Sequence, residues 1–231
     1  MTYIFLIGSV FIGLILVRLV SNLNTNAIKL LLAFSGAYLF AISVFHLIPE
    51  VYSGETKNIG LFLLIGFILQ IVLEFFSQGI EHGHGHFHNK TVPTSMLLSL
   101  AIHAYLEGMP LGGIEHHGHL HGNLENSLLT GIALHKIPVT IVLMSLFTQA
   151  NFSTLKSIIL ISFFALMAPL GSLTGHLIQE IGQYHQEIMA IVVGIFLHIS
   201  TTILFESSEG HKFNIQKLVA IGFASLLAWI V

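Results

Sequence analysis

Cysteine and aspartate are both absent from this chain, and only 8% of its 231 residues are charged. The lack of cysteine excludes disulfides and thiolate metal sites, and it leaves the redox compartment open. The lack of aspartate removes a frequent general base, so carboxylate chemistry falls to glutamate alone. A soluble domain is typically about a quarter charged, so the shortage of charge excludes an ordinary globular protein. A net charge of -3 with no basic patch speaks against nucleic acid as a partner. What the chain has in quantity is apolar residues, at 54%, with a mean hydropathy of +0.87. It also has 15 histidines against 8 lysines and arginines. That skew favours metal handling.

At about 20 residues per bilayer crossing, eight apolar segments can be marked, roughly 2–20, 28–50, 58–80, 93–113, 125–148, 155–179, 186–206 and 213–231. The predicted fold is therefore all-α, a single multi-pass domain over 1–231 embedded in a lipid bilayer. The first apolar stretch, Thr2 to Val17, lacks a basic leader and a small-residue cleavage pattern, and reads as a retained span. Connections such as Ser21 to Ala27 and Gln149 to Ser153 are rich in Asn, Ser and Thr, as loops should be. Arg18, Lys29, Lys90, Lys156, Lys212 and Lys217 flank alternate connections on one side, and Lys57 alone lies on the other. The positive-inside rule then predicts a cell (inner or plasma) membrane protein with both termini extracytosolic. Gly36-Ala-Tyr-Leu-Phe40 in span two and Gly194-Ile-Phe-Leu-His198 in span seven hint at an inverted repeat. The expected arrangement is 3+2+3, with spans four and five as the central pair.

Span four carries His103 and Glu107 in Leu100-Ala-Ile-His-Ala-Tyr-Leu-Glu-Gly-Met-Pro-Leu-Gly112. Residues four apart share one helical face, so an imidazole and a carboxylate can meet one cation there. Span five carries His135 and Lys136 in Gly131-Ile-Ala-Leu-His-Lys-Ile-Pro138. Ionisable side chains at membrane depth are costly and mark functional sites. Two imidazole nitrogens and one carboxylate oxygen suit zinc or another borderline divalent ion, with a fourth position open. Incomplete coordination suits transport, because a closed four-ligand cage would release its ion slowly. Lys136, too deep to snorkel, is expected beside the ion, paired with Glu107, where a second cation could otherwise sit. Pro110, Pro138 and Pro169 each free a backbone carbonyl one turn earlier, either to kink the helix or to line an ion path.

Further candidates are auxiliary. His46 and Glu50 end span two at the same four-residue spacing, and His198 and Glu206 lie in span seven. His46 and Glu50 are a candidate outer relay, and His198 and Glu206 are candidate relay or auxiliary groups. Glu74 and His176 are intramembrane and carry no assigned role. Two histidine-rich loops flank span four: His82, His84, His86 and His88 on the cytosolic side, and His116, His117, His119 and His121 on the extracytosolic side. Both are expected to sense or buffer borderline divalent ions in many geometries.

These motifs resemble those of the ZIP (ZRT/IRT-like) family of divalent metal transporters. The family's span-four pattern is similar to His-Asn-x-x-Glu/Asp-Gly, with His103, Ala104, Glu107 and Gly108 at those positions. Its span-five pattern resembles His-Glu/Lys-x-Pro-Glu, matched by His135, Lys136 and Pro138, and its span-two ending is matched by His46, Leu47, Pro49 and Glu50. The histidine-rich loop between spans three and four and the eight-span plan also agree. Members with a two-metal centre resemble this chain less at Ala104, Lys136, Val139 and Ala168, where they carry ligands. The resemblance thus implies a single ion held by His103, Glu107 and His135, with Lys136 supplying the charge of the missing second ion.

The function expected is transport of Zn2+, or a similar divalent transition metal, as substrate; the resemblance implies movement toward the cytosol, by a non-enzyme. Binding should be pH-sensitive, since both imidazoles must be neutral to coordinate. Two other readings stay open. One is an intramembrane metal-dependent hydrolase, since zinc on two His and a Glu with a bound water is also a hydrolytic centre, although no His-Glu-x-x-His occurs. The other is a non-transporting metal sensor. A homodimer is compatible with all three.

Overall fold

Long apolar runs with few helix breakers leave the backbone no water to bond to in a bilayer, and intrasegment helical bonding is the local solution. The computed structural model describes residues 1–19, 25–54, 56–77, 92–113, 122–178, 183–206 and 215–230. Helices account for nearly all of them, and no strand occurs among the described residues. The elements are α1 (Thr2–Leu19), α2 (Thr25–Ile42), a π-helical turn (Ser43–Leu47), α3 (Ile48–Ser53), α4 (Ile59–Ser77) and α5 (Thr94–Gly113). They continue with α6 (Gly122–Gln149), α7 (Thr154–Leu177), α8 (His185–Glu206) and α9 (Ile215–Ile230). Because α2, the π turn and α3 run on as one rod, the described residues form eight rods.

Six of these rods are long and apolar enough to cross a membrane. The other two are α5 and α9. Polar His103, Glu107, serines and a threonine dilute α5, and α9 has 16 residues, spanning about 24 Å at 1.5 Å per residue. The eight expected segments therefore all recur as helices, while the length and hydropathy of a full crossing are met by six.

Helices α2, α6 and α8 form the interior, and α1 and α4 lie at the periphery with Phe5, Phe11, Ile65 and Phe75 facing outward. The most extensive contacts are α5 on α7, α4 on α8, α2 on α9 and α1 on α6. Between α5 and α7 the backbones approach so closely that a Cβ on Gly108 would run into the Ala168 carbonyl, and one on Gly171 into the Tyr105 carbonyl. Small residues at such positions are the usual means of close helix packing in lipid, where apolar surface gains nothing by leaving the hydrocarbon. The two glycines whose surroundings suggested a repeat, Gly36 and Gly194, meet different neighbours. Gly36 faces the Ile203 side chain of α8, whereas Gly194 faces the Leu63 carbonyl of α4.

Of the two polar connections expected, residues 21–24 of the first lie outside the described residues and Thr25–Ala27 already belong to α2, while the second is a turn after Gln149. Asn58 and Asn151 take left-handed backbone angles (φ 63° and 59°), which asparagine tolerates better than most residues. Ser153 then caps α7, its hydroxyl accepting from the Lys156 amide at 3.3 Å.

Candidate metal centre

Helix geometry brings His103 and Glu107 onto one face of α5, and their side chains meet: His103 Nε2 lies 2.8 Å from Glu107 Oε1. Helix α6, which meets α5 over a short stretch, contributes His135 and Lys136. The His103 and His135 rings stand nearly perpendicular, with centroids 6.4 Å apart. One ligand atom from each of His103, Glu107 and His135 lies within 4.8 Å of the others, and all three residues are buried. Among the described residues this is the group of three or more such side chains that can share an ion. A borderline divalent ion fits this donor set, with room in its coordination sphere for a further ligand.

The charge of Glu107 is answered from α6. Lys136 Nζ donates to Glu107 Oε2 at 3.0 Å, and Lys136 is 1% exposed, among the largest fully buried side chains. A buried carboxylate without a cation would be expensive, so the pair lets the fold keep both groups. The ammonium also sits over the Phe164 ring of α7, 4.6 Å from its centroid. One turn on, the Thr140 hydroxyl donates to the Lys136 carbonyl at 2.7 Å, next to Pro138, which has no amide hydrogen to give. Helices α5, α6 and α7 all continue through their prolines.

The remaining candidates fall elsewhere. His46 lies in the π-helical turn and its Nε2 donates to the Ala228 carbonyl of α9 at 2.7 Å, while Glu50 lies in α3, partly exposed. His198 Nδ1 lies 3.3 Å from Glu74 Oε2 across the α4–α8 contact, and the Phe67 ring stands edge-on to it at 4.9 Å. Glu206 is the last residue of α8, and its side chain is outside the described residues, as are the loops with His82, His84, His86, His88, His116, His117, His119 and His121. At the positions where the two-metal pattern would place further ligands, Ala104, Val139 and Ala168 are all buried apolar residues.

Sequence reasoning left Glu74 unassigned and did not find Phe164. Each helix alone holds no signal for either contact. Phe164 is one of two adjacent phenylalanines in an apolar span, and Glu74 is a lone carboxylate whose partner is more than a hundred residues away in the chain.

A family model described as ZIP zinc transporter matches residues 90–228, more than half of the chain and every residue of the buried group. No curated protein matches the chain.

Proposed function

The chain belongs to the ZIP zinc transporter family and is a multi-pass membrane protein, and from that premise we propose that it moves zinc, or a similar divalent ion, toward the cytosol through one intramembrane site. His103, Glu107 and His135 are the ligands in this reading. The observation that carries it is the convergence of their three ligand-type atoms within 4.8 Å in a largely apolar interior. Histidine nitrogens favour zinc and its neighbours over magnesium and calcium. Lys136 stands in for a second ion, a role supported by its 3.0 Å contact with Glu107 and by the absence of ligand side chains at Ala104, Val139 and Ala168.

The architecture that goes with this reading is eight spans in a 3+2+3 plan with both termini outside. The contact pattern supports the 3+2+3 pairing of the rods. Exchanging the first three rods with the last three, and α5 with α6, turns the α4–α8 contact into the α9–α2 contact, and α1–α6 into α7–α5. That is the pairing an inverted repeat around a central pair would produce. His46, Glu50, His198 and Glu206 are relay or auxiliary groups in this plan, and the histidine-rich loops are buffers on either side.

Uptake of radioactive zinc into proteoliposomes, by wild type and by His103→Ala, tests the reading. The expected result is uptake by wild type and loss of it in the variant. Equal uptake by both would overturn the assignment.

A further inference from the structure

Lys136 is a buried ammonium with two contacts, and they differ in kind. Its Nζ lies 3.0 Å from Glu107 Oε2 and 4.6 Å from the centre of the Phe164 ring. The two oxygens of Glu107 are divided, Oε1 toward His103 Nε2 at 2.8 Å and Oε2 toward the ammonium. An ion taken up by the ligand group therefore draws on Oε1 while the ammonium keeps Oε2. Once the carboxylate is shared with a dication, its hold on the ammonium weakens and the dication repels it. With the carboxylate's hold loosened, the ammonium leans more fully on the ring, so the ring contributes more to the ion-bound state than to the ion-free one. Its negative face is the remaining attraction for a charge that cannot reach water.

Phe164 is itself buried, 6% exposed, and stands one turn before Ala168 on the inward face of α7. It also lines an apolar cavity of about 90 Å³ together with Leu97, Leu100, Leu143 and Phe147. Of the side chains around that cavity, the one whose ring lies under the ammonium is Phe164, and the leucines offer a cation no π face.

We propose that Phe164 is a positioning residue for ion binding: its ring face seats the Lys136 ammonium while the metal ion occupies Glu107, and so sets how tightly the ion is held. This rests on His103, Glu107 and His135 being the ion's ligands, and adds a residue on a third helix to the machinery. The effect of the ring must then run through the lysine.

Zinc titration of the purified full-length protein by calorimetry tests this. Phe164→Leu should weaken zinc binding roughly tenfold, the scale of a desolvated cation–π contact, and the same change on a Lys136→Met background should have no effect. Replacing Phe164 by mono-, di- and trifluorophenylalanine drains the ring face at nearly constant shape, and affinity should fall in steps with each fluorine. A flat fluorine series, or an equal loss from Phe164→Leu with and without Lys136, would overturn the role of Phe164. If zinc uptake is lost in His103→Ala while the fluorine series is flat, the ligand assignment stands and the ring's role alone fails. If His103→Ala binds and transports zinc as wild type does, the ligand assignment fails, and the seat proposed for Phe164 fails with it.

Discussion

Two places in this molecule set a histidine beside a glutamate inside the helix bundle, and their surroundings differ. On α5, His103 and Glu107 sit on one helix at 2.8 Å, and α6 adds His135 and the Lys136 ammonium. Between α4 and α8, Glu74 and His198 meet across helices at 3.3 Å, with side chains 21% and 11% exposed. Fully buried Gln70 lies one turn before Glu74 on the same helix. The first grouping has a third ligand-type side chain and a counter-charge, and all four side chains are buried. The second has two ligand-type side chains and partial access to the surroundings. What distinguishes the proposed ion site is a third converging donor-type side chain, together with a cation that balances the carboxylate's charge in a largely apolar interior.

Substitutions can break that comparison or sharpen it. The largest effect is expected from Glu107→Gln, which removes a ligand and strands Lys136. Zinc affinity should fall about 100-fold or more, beyond the 10–100-fold typical of losing a group that only supports a ligand. Calorimetric titration checks it, and a change under threefold would remove Glu107 from the ligand set.

Lys136→Met should act in two opposite directions. The ion-free protein should lose about 3–5 kcal/mol of stability, as when one member of a buried pair is deleted. Zinc binding should tighten by roughly tenfold, because the ion no longer competes with an ammonium for one carboxylate. Denaturation with and without zinc measures both, and the stabilisation by zinc should be greater in the variant than in wild type. A variant whose zinc affinity is unchanged would leave Lys136 a purely structural group.

The smallest effect is expected at the other grouping. Glu74→Gln should alter zinc affinity at the His103, Glu107 and His135 group by no more than about twofold, as for sites that share no partner. A loss matching that of Glu107→Gln would erase the distinction between the two groupings.

Much of this was legible from residue order. Apolar run lengths predict helices where helices occur, and the Asn and Ser turns between α6 and α7 lie where their composition puts them. The four-residue spacing of His103 and Glu107 is sufficient for their contact, because one helical turn separates them whatever the rest of the chain does. The pairing of Lys136 with Glu107 could be anticipated from charge alone, since an ammonium at membrane depth needs an anion. Glu74 resisted assignment for the opposite reason. It is itself an anion, and several helices hold a histidine that could face it.

The sequence by itself determined that this protein is helical, multi-pass and provided with imidazole and carboxylate at membrane depth, because those properties depend on composition and on spacing within one helix. Helix docking alone brings a His135 nitrogen within 4.8 Å of Glu107, divides the two oxygens of that carboxylate between His103 and the Lys136 ammonium, and puts Phe164 beneath that ammonium. Those contacts depend on how helices distant in sequence dock, and docking is set by close backbone approach at positions such as Gly108 and Gly171. No periodicity within a single helix encodes which partner will fill the space a glycine leaves.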